Sequence, residues 1–394
     1  MADLDARFAE AAAQHRAGRL AEAEAGYRAV LAERPDHVPA LSNLGSLLRA
    51  TDRVIEAEAP LAEALRLAAP GDLRPVVNLA NLYRWTGRWR EAVRLYDQVF
   101  AAGGASAELS LDASTVHLAC GREAEGWRLQ DARPNAQARR GQGIPFPEWR
   151  GEPLDGRSVL LLPEQGFGDQ LQMIRYAPML KGRGAASLTI VAPPPLVRIF
   201  EAMPAVDRVI ACGPDETVAA PPQDFWTMPF SLPLWLGEAP AAPYLAAPDG
   251  ARRAWRGFDE GRVGIVWHGG RHQPIERHRG LPSPELLAPL ASHAQLVDLQ
   301  EPRGDFADTA AILEHLDLVI TTDTAMAHLA GAMGCDAWVM LPYIAMDWRW
   351  ANGQRTPWYP SLRLFRQPAP GDWASVVAAL ERALRDRVSG RLEA

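Results

Sequence analysis

The chain of 394 residues has no run of ~18 uncharged apolar residues, the length a membrane-spanning helix requires, so a transmembrane segment is not expected. Its opening residues, MADLDARFAE, carry acids where a secretory signal needs a basic and then an apolar stretch, which points away from export and toward a bacterial-type cytoplasm. Cysteine is scarce. The three present, Cys120, Cys212 and Cys335, are widely spaced, odd in number and without metal-ligand spacing, as expected in a reducing compartment. Excess positive charge is missing too: 41 Lys and Arg against 48 Asp and Glu leave a formal charge of −7, which argues against a general nucleic-acid binder. A local basic pocket remains compatible with that balance. What is present is ordinary for a globular protein, with 48% hydrophobic and 23% charged residues and enough chain for two or three domains of roughly 100–200 residues. Tryptophan, at 13, is unusually frequent.

The first third repeats itself. Residues 43–65, NLGSLLRATDRVIEAEAPLAEAL, align without gaps on residues 78–100, NLANLYRWTGRWREAVRLYDQVF, an offset of 35 from Asn43 to Asn78. Gly18, Ala23, Tyr27 and Pro35 correspond to Asp52, Ala57, Leu61 and Ala69 found 34 positions later, and Gly121 follows Gly87 by the same 34. A period of ~34 with a small residue at the turn, Ala in the second helix and an aromatic four residues on is the tetratricopeptide signature, here spanning residues 1–132 in roughly three and a half repeats. One helix pair cannot bury its apolar face alone, so the pairs are expected to stack into an all-α solenoid with a concave groove. The groove either captures a protein or peptide, or serves dimerisation and support of the neighbouring region.

Residues 133–156, rich in Pro, Gly and Arg, read as an ordered linker. After it, apolar runs such as SVLLL, SLTIVA, VGIVWHG, DLVITT and AWVMLP alternate with helical segments, the pattern of parallel strands joined by crossover helices. A Pro- and Ala-rich break near residue 250 divides this α/β region into two Rossmann-like halves, residues 157–250 and 251–394, with ligands expected in a cleft between them.

Four stretches carry candidate chemistry. In LLLPEQGFGDQLQMIRYAPML, residues 160–180, a strand runs through Glu164, Gly166 and Gly168 into a helix beginning near Asp169; the glycines admit a ligand to the backbone, and Asp169 either meets that ligand or complements the helix dipole. In residues 316–334, LDLVITTDTAMAHLAGAMG, a strand ends in Thr322, Asp323 and Thr324 and a small-residue helix follows, whose first-turn amides suit a diphosphate. Asp323 is expected to cap that helix or to accept bonds from sugar hydroxyls or from His328, and His328 is either a site residue or simply packed. In VGIVWHGGRHQPIERHRGLP, His268 opens a glycine turn, and Arg271, His272, Arg277, His278 and Arg279 make a basic cluster that is either a phosphate clamp or a solvated loop. In residues 341–367, Trp348, Arg349, Trp350, Trp358 and Tyr359 crowd a Pro- and Gly-broken segment, where they either stack on a sugar or base or pin the C-terminal helix.

Taken together, residues 157–387 resemble bacterial GT-B-type glycosyltransferases related to the heptosyltransferases of glycosyltransferase family 9. Joined to tetratricopeptides, the chain is similar to bacterial protein glycosyltransferases that include flagellin-modifying enzymes. The resemblance implies that Asp169 is the general base, with Gly166 and Gly168 shaping its loop and Glu164 as the fallback. It further implies that Asp323, Thr324 and His328 contact the donor and that Arg279 stands where heptosyltransferases carry a donor-contacting Lys; Thr322, His268, Gly166 and Gly168 are counted with them as donor-binding residues. Trp348 and Trp350 are the candidates for stacking.

The implied reaction is inverting, metal-independent transfer from a nucleotide-sugar to a protein hydroxyl, with no cofactor and with flagellin as the implied acceptor. Homo-oligomerisation stays open. A heptosyltransferase of lipopolysaccharide or other glycan assembly and a non-catalytic tetratricopeptide adaptor are the competing readings.

Overall fold

The computed structural model describes residues 2–213, 216, 220–259, 261–270 and 275–390. The chain divides between Gly126 and Trp127 into two compact units, with Met346–Trp348 grouped with the first.

The N-terminal helices follow in pairs: α1 (Ala2–Arg16) with α2 (Leu20–Glu33), α3 (Val38–Ala50) with α4 (Val54–Leu67), α5 (Arg74–Trp85) with α6 (Trp89–Ala101), and α7 (Ala107–Ala119) with α8 (Glu123–Gln130), the last running across the division. The repeat appears in the backbone itself. Gly18, Asp52, Gly87 and Gly121, the turn positions, have φ of 75°, 65°, 70° and 73°. Three are the residue that takes a left-handed turn without Cβ strain, and Asp52 takes it as a tolerated short polar side chain. The recurring Ala23, Ala57 and Ala92 and the recurring Tyr27, Leu61 and Tyr96 are all fully buried between helices.

After α8 comes a helix where the composition suggested a linker: α9 covers Pro134–Arg140. Proline at its first position tolerates a helix start, and the helix is too short to show a period. In the first half, β1 (Ser158–Leu161), α10 (Phe167–Met173), α11 (Ala177–Gly182), β2 (Ser187–Ala192), α12 (Val197–Glu201), β3 (Arg208–Ala211), β4 (Phe225–Thr227) and α13 (Leu232–Leu236) follow in order. The second half holds α14 (Asp249–Ala254), β5 (Val263–Val266), α15 (Glu276–Arg279), β6 (Leu296–Asp298), α16 (Phe306–Leu313), β7 (Leu318–Thr322), α17 (Ala325–Met333), β8 (Ala337–Leu341), β9 (Leu362–Arg366) and α18 (Trp373–Val388).

All strand pairings are parallel, in the orders β3-β2-β1-β4 and β6-β5-β7-β8-β9. Strand order reverses beside β1 in the first sheet and between β5 and β7 in the second, so the loops leaving β1, β5 and β7 sit at topological switch points, where open sheets bind ligands. The core of the second half packs α18 on the sheet through Trp373, Val376, Leu380 and Leu384. These two parallel sheets are the architecture expected of a GT-B organisation.

Candidate active site

β1 delivers the chain through residues 162–166 into α10, whose N-cap is Gly166. The helix begins at Phe167, two residues earlier than the sequence pattern indicates, which makes Asp169 the third helical residue. Its Oδ2 accepts from the Gly166 backbone N–H at 3.1 Å. Its Oδ1 accepts from Arg349 Nη2 at 2.5 Å. Arg349, which the sequence pattern placed only within an aromatic cluster, is buried and enters from the segment between β8 and β9, so it joins the second half to the first. Gln172 Oε1 accepts from Arg349 Nε, and Thr356 Oγ1 donates to the Arg349 carbonyl at 2.6 Å. Asp169 keeps 23% side-chain exposure. That exposure is what an incoming hydroxyl would need to reach the carboxylate.

The second glycine plays a different part from the one its spacing suggested. A Cβ at Gly168 would fall 2.6 Å from His328 Cδ2 and 3.4 Å from the Ala325 Cα. Its missing side chain therefore lets α10 close on α17 rather than opening the backbone to a ligand. His328 is buried against Trp350, at 5.4 Å between ring centroids, and its Nδ1 lies 3.0 Å from the Tyr359 hydroxyl. Burial, reinforced by Arg349, Arg175 and Arg279, holds its pKa well below the ordinary 6.5, so the ring is neutral. Tyr359 is pushed the other way by the same burial and keeps its proton. Nearby, Arg175 donates to the Tyr244 hydroxyl at 3.1 Å and the Trp358 carbonyl at 3.2 Å, with its guanidinium over both rings. These contacts lock the seam between the two halves.

On the second sheet, α17 is capped by Thr324, whose Oγ1 accepts from the Met326 N–H at 3.3 Å. Asp323 therefore does not cap it. Its carboxylate turns instead to Arg279, with Oδ2 3.8 Å from Nη1. Arg279 also meets Glu276 Oε2 at 3.4 Å, and its buried Nε has no hydrogen-bond partner among the described residues. Among the same residues the buried Thr322 hydroxyl has none either. A guanidinium shared loosely between two acids at the end of β7 suits an oxyanion arriving there.

The turn after β5 is held rather than flexible. Gln300 Oε1 accepts from the backbone N–H groups of Trp267 and His268, each at 3.1 Å, and Glu276 Oε1 accepts from Gly269. Gln300 carried no sequence signal, because the backbone groups it holds are 32 and 33 residues away, and Glu276 none, because its partner is a backbone N–H rather than a side chain. Arg277 and His278 contact each other at 3.0 Å, whereas Arg271 and His272 lie outside the described residues.

Two candidate roles are corrected. Glu164 is not available as a fallback base, since it is buried and gripped by Arg133 Nε and, at 2.9 Å, Nη2. Trp350 has no exposed surface for a sugar or base to stack on, its ring being spent on His328. Trp348, grouped with the first unit, is buried too. An unforeseen feature is backbone strain: of the four non-glycine residues with positive φ among the described residues, Gln165 at 61° lies in the loop leading to Asp169, and Ala345 at 60° and Ala351 at 48° flank Arg349. Such conformations cost ~1–3 kcal/mol each and concentrate at functional sites.

The first unit carries tetratricopeptide repeats, with that family model matching residues 40–69 and 77–102. Over 325 residues the chain is 28% identical to protein FlbA of Caulobacter vibrioides, covering 69% of this chain and 54% of FlbA, so it spans about half the length of that curated relative. Among solved structures it is similar to an O-GlcNAc transferase mutant of Thermobaculum terrenum, at 14% identity, TM-score 0.37, and coverage of 99% of this chain and 93% of that one. It is also similar to E. coli ADP-heptose lipopolysaccharide heptosyltransferase II, at 12% identity, TM-score 0.40, and coverage of 59% and 99% respectively. Tetratricopeptide repeats thus precede a two-sheet α/β region in this chain.

Proposed function

We propose that this protein is an inverting, nucleotide-sugar-dependent glycosyltransferase acting on a hydroxyl of a protein acceptor. The observation that carries the reading is the placement of Asp169 in the first turn of α10, directly after the loop leaving β1, in the same unit as the Arg279, Asp323 and Thr324 group at the ends of β5 and β7, each at a switch point of its sheet. In this reading the acceptor oxygen attacks the anomeric carbon while Asp169 takes its proton. The bond from that carbon to the nucleotide phosphate breaks, and the electron pair leaves with the phosphate. Arg279 and the first-turn amides of α17 receive the charge that develops there, so the step is drawn without a metal ion. Gly166 and Gly168 act through Asp169 and His328, and His328 with Thr322 shapes the floor of the donor site.

The tetratricopeptide region supplies recruitment in this proposal. Its partner is a protein or peptide segment, flagellin being the acceptor that the family resemblance implies. Thermal denaturation against a panel of nucleoside diphosphates tests the donor half of the reading. One nucleotide at ~100 times its dissociation constant should add about 2.7 kcal/mol of stability to the wild type and nothing to an Arg279→Ala, Asp323→Asn double variant. Equal stabilisation of both proteins would place the nucleotide elsewhere.

A further inference from the structure

The second sheet ends at β9, and the face of α18 beside it is short of side-chain volume. Ala379 and Ala383 lie one turn apart there, and with β9 and the turn at residues 352–354 they border a cavity of about 500 Å3. Its charge is one-sided. Arg363, Arg366 and Arg382 line it against a single carboxylate, Asp386, which pairs with Arg385 at 3.8 Å.

Each arginine is in a different state. Arg363 lies over Phe365 at 4.9 Å and over Trp338 at 5.8 Å, and has no carboxylate within ion-pair distance among the described residues. Stacking fixes the plane of its donor fork. Arg382 has no hydrogen bond or ion pair among the described residues. Arg366 is turned inward by the carbonyls of Trp350 and Gly353, at 2.8 and 3.2 Å, and burial pushes its guanidinium down to about 10, so it remains charged at neutral pH. In a protein of net charge −7, three guanidiniums drawn around one hollow repel one another, and an oxyanion in the hollow offsets that repulsion through charge-assisted hydrogen bonds.

We infer that this cavity between β9 and α18 is a second binding site, one that takes the phosphate oxyanion of a small molecule between Arg363 and Arg382. It shares no lining residue with the Asp169 and Asp323 group and does not depend on the transferase reading. The phosphate can come from a free inorganic anion or from a nucleotide, and the two are separable. Calorimetric titration with pyrophosphate, and then with ADP, is made in the full chain carrying Arg279→Ala and Asp323→Asn, so that the proposed donor site is silent. Pyrophosphate should still bind, and Arg363→Ala with Arg382→Ala should weaken it at least tenfold. Ala379→Leu, which keeps every charge and fills the hollow at a partly exposed helical position, should weaken it comparably. ADP binding as tight as pyrophosphate identifies a nucleotide as the source of the phosphate, and pyrophosphate binding alone identifies a free anion. Failure of pyrophosphate to bind in that background, or unchanged binding in both the arginine and Ala379→Leu variants, overturns the site.

Discussion

Asp169 is held from both sides, by its own helix N-terminus through Gly166 and by Arg349 from the opposite half, and the two contacts make different demands on catalysis. The backbone contact orients the carboxylate, whereas the guanidinium favours its charged form. Removing that positive charge should shift the acid limb of the rate profile to higher pH. Arg349→Ala is therefore expected to lower turnover and move the limb upward, and Arg349→Lys to restore part of the rate because charge returns without the fork geometry. A pH–rate profile of kcat/KM checks this, and an unmoved limb with lower turnover would reduce Arg349 to packing. Gly168 offers a separate test. A methyl group there meets a buried ring at 2.6 Å, so Gly168→Ala should destabilise the protein by about 1–3 kcal/mol in denaturant titration.

Among elements, α17 combines a catalytic-loop connection with a titratable core. Neutral His328 has a folded-state pKa well below 6.5, so the unfolded chain binds a proton that the native state refuses. Its contribution to stability is present above about pH 6.5 and is lost as pH falls below that value. Melting temperature should drop from pH 7.5 to 5.5, and His328→Gln should flatten part of that slope. His15, His37 and His117, also lowered by burial, supply the remainder. An unaltered slope in the variant would show that His328 is charged or solvated in the native state. Among the repeats, Asp52 occupies the turn that glycine fills elsewhere, and Asp52→Gly should raise stability by up to ~1 kcal/mol, measured by the same melts.

The repeats and the long strands were legible in the sequence because a 34-residue period and apolar runs such as residues 187–192 are local patterns. β4 and β9 were not. β4 is three residues inside a proline-rich stretch, and β9, LRLFR, alternates arginine with apolar residues because it is the sheet edge. At the site, Asp169, Asp323 and His328 stood out as polar groups at strand-to-helix junctions. Arg349 and Gln300 did not, since their partners are fixed only by tertiary folding: Arg349 lies 180 residues from Asp169 and Gln300 33 from Trp267. For the same reason Glu164 read as an accessible acid until its pairing with Arg133 was seen.

At the scale of the whole molecule, the proposal joins a repeat region that recruits a protein to an α/β region that transfers a sugar. If charge on the leaving phosphate falls on Arg279 and α17, chelation by EDTA should leave turnover unchanged, and a loss restored by added metal would require a different donor site. The most direct measurement is release of nucleoside diphosphate from a panel of nucleotide-sugars in the presence of flagellin, comparing wild type with Asp169→Asn. One nucleotide-sugar should be consumed with sugar appearing on the acceptor, and the substitution should cut that rate by about 10²–10⁴-fold while nucleotide binding persists. Consumption at the wild-type rate by Asp169→Asn, or no transfer from any nucleotide-sugar, would contradict the assignment.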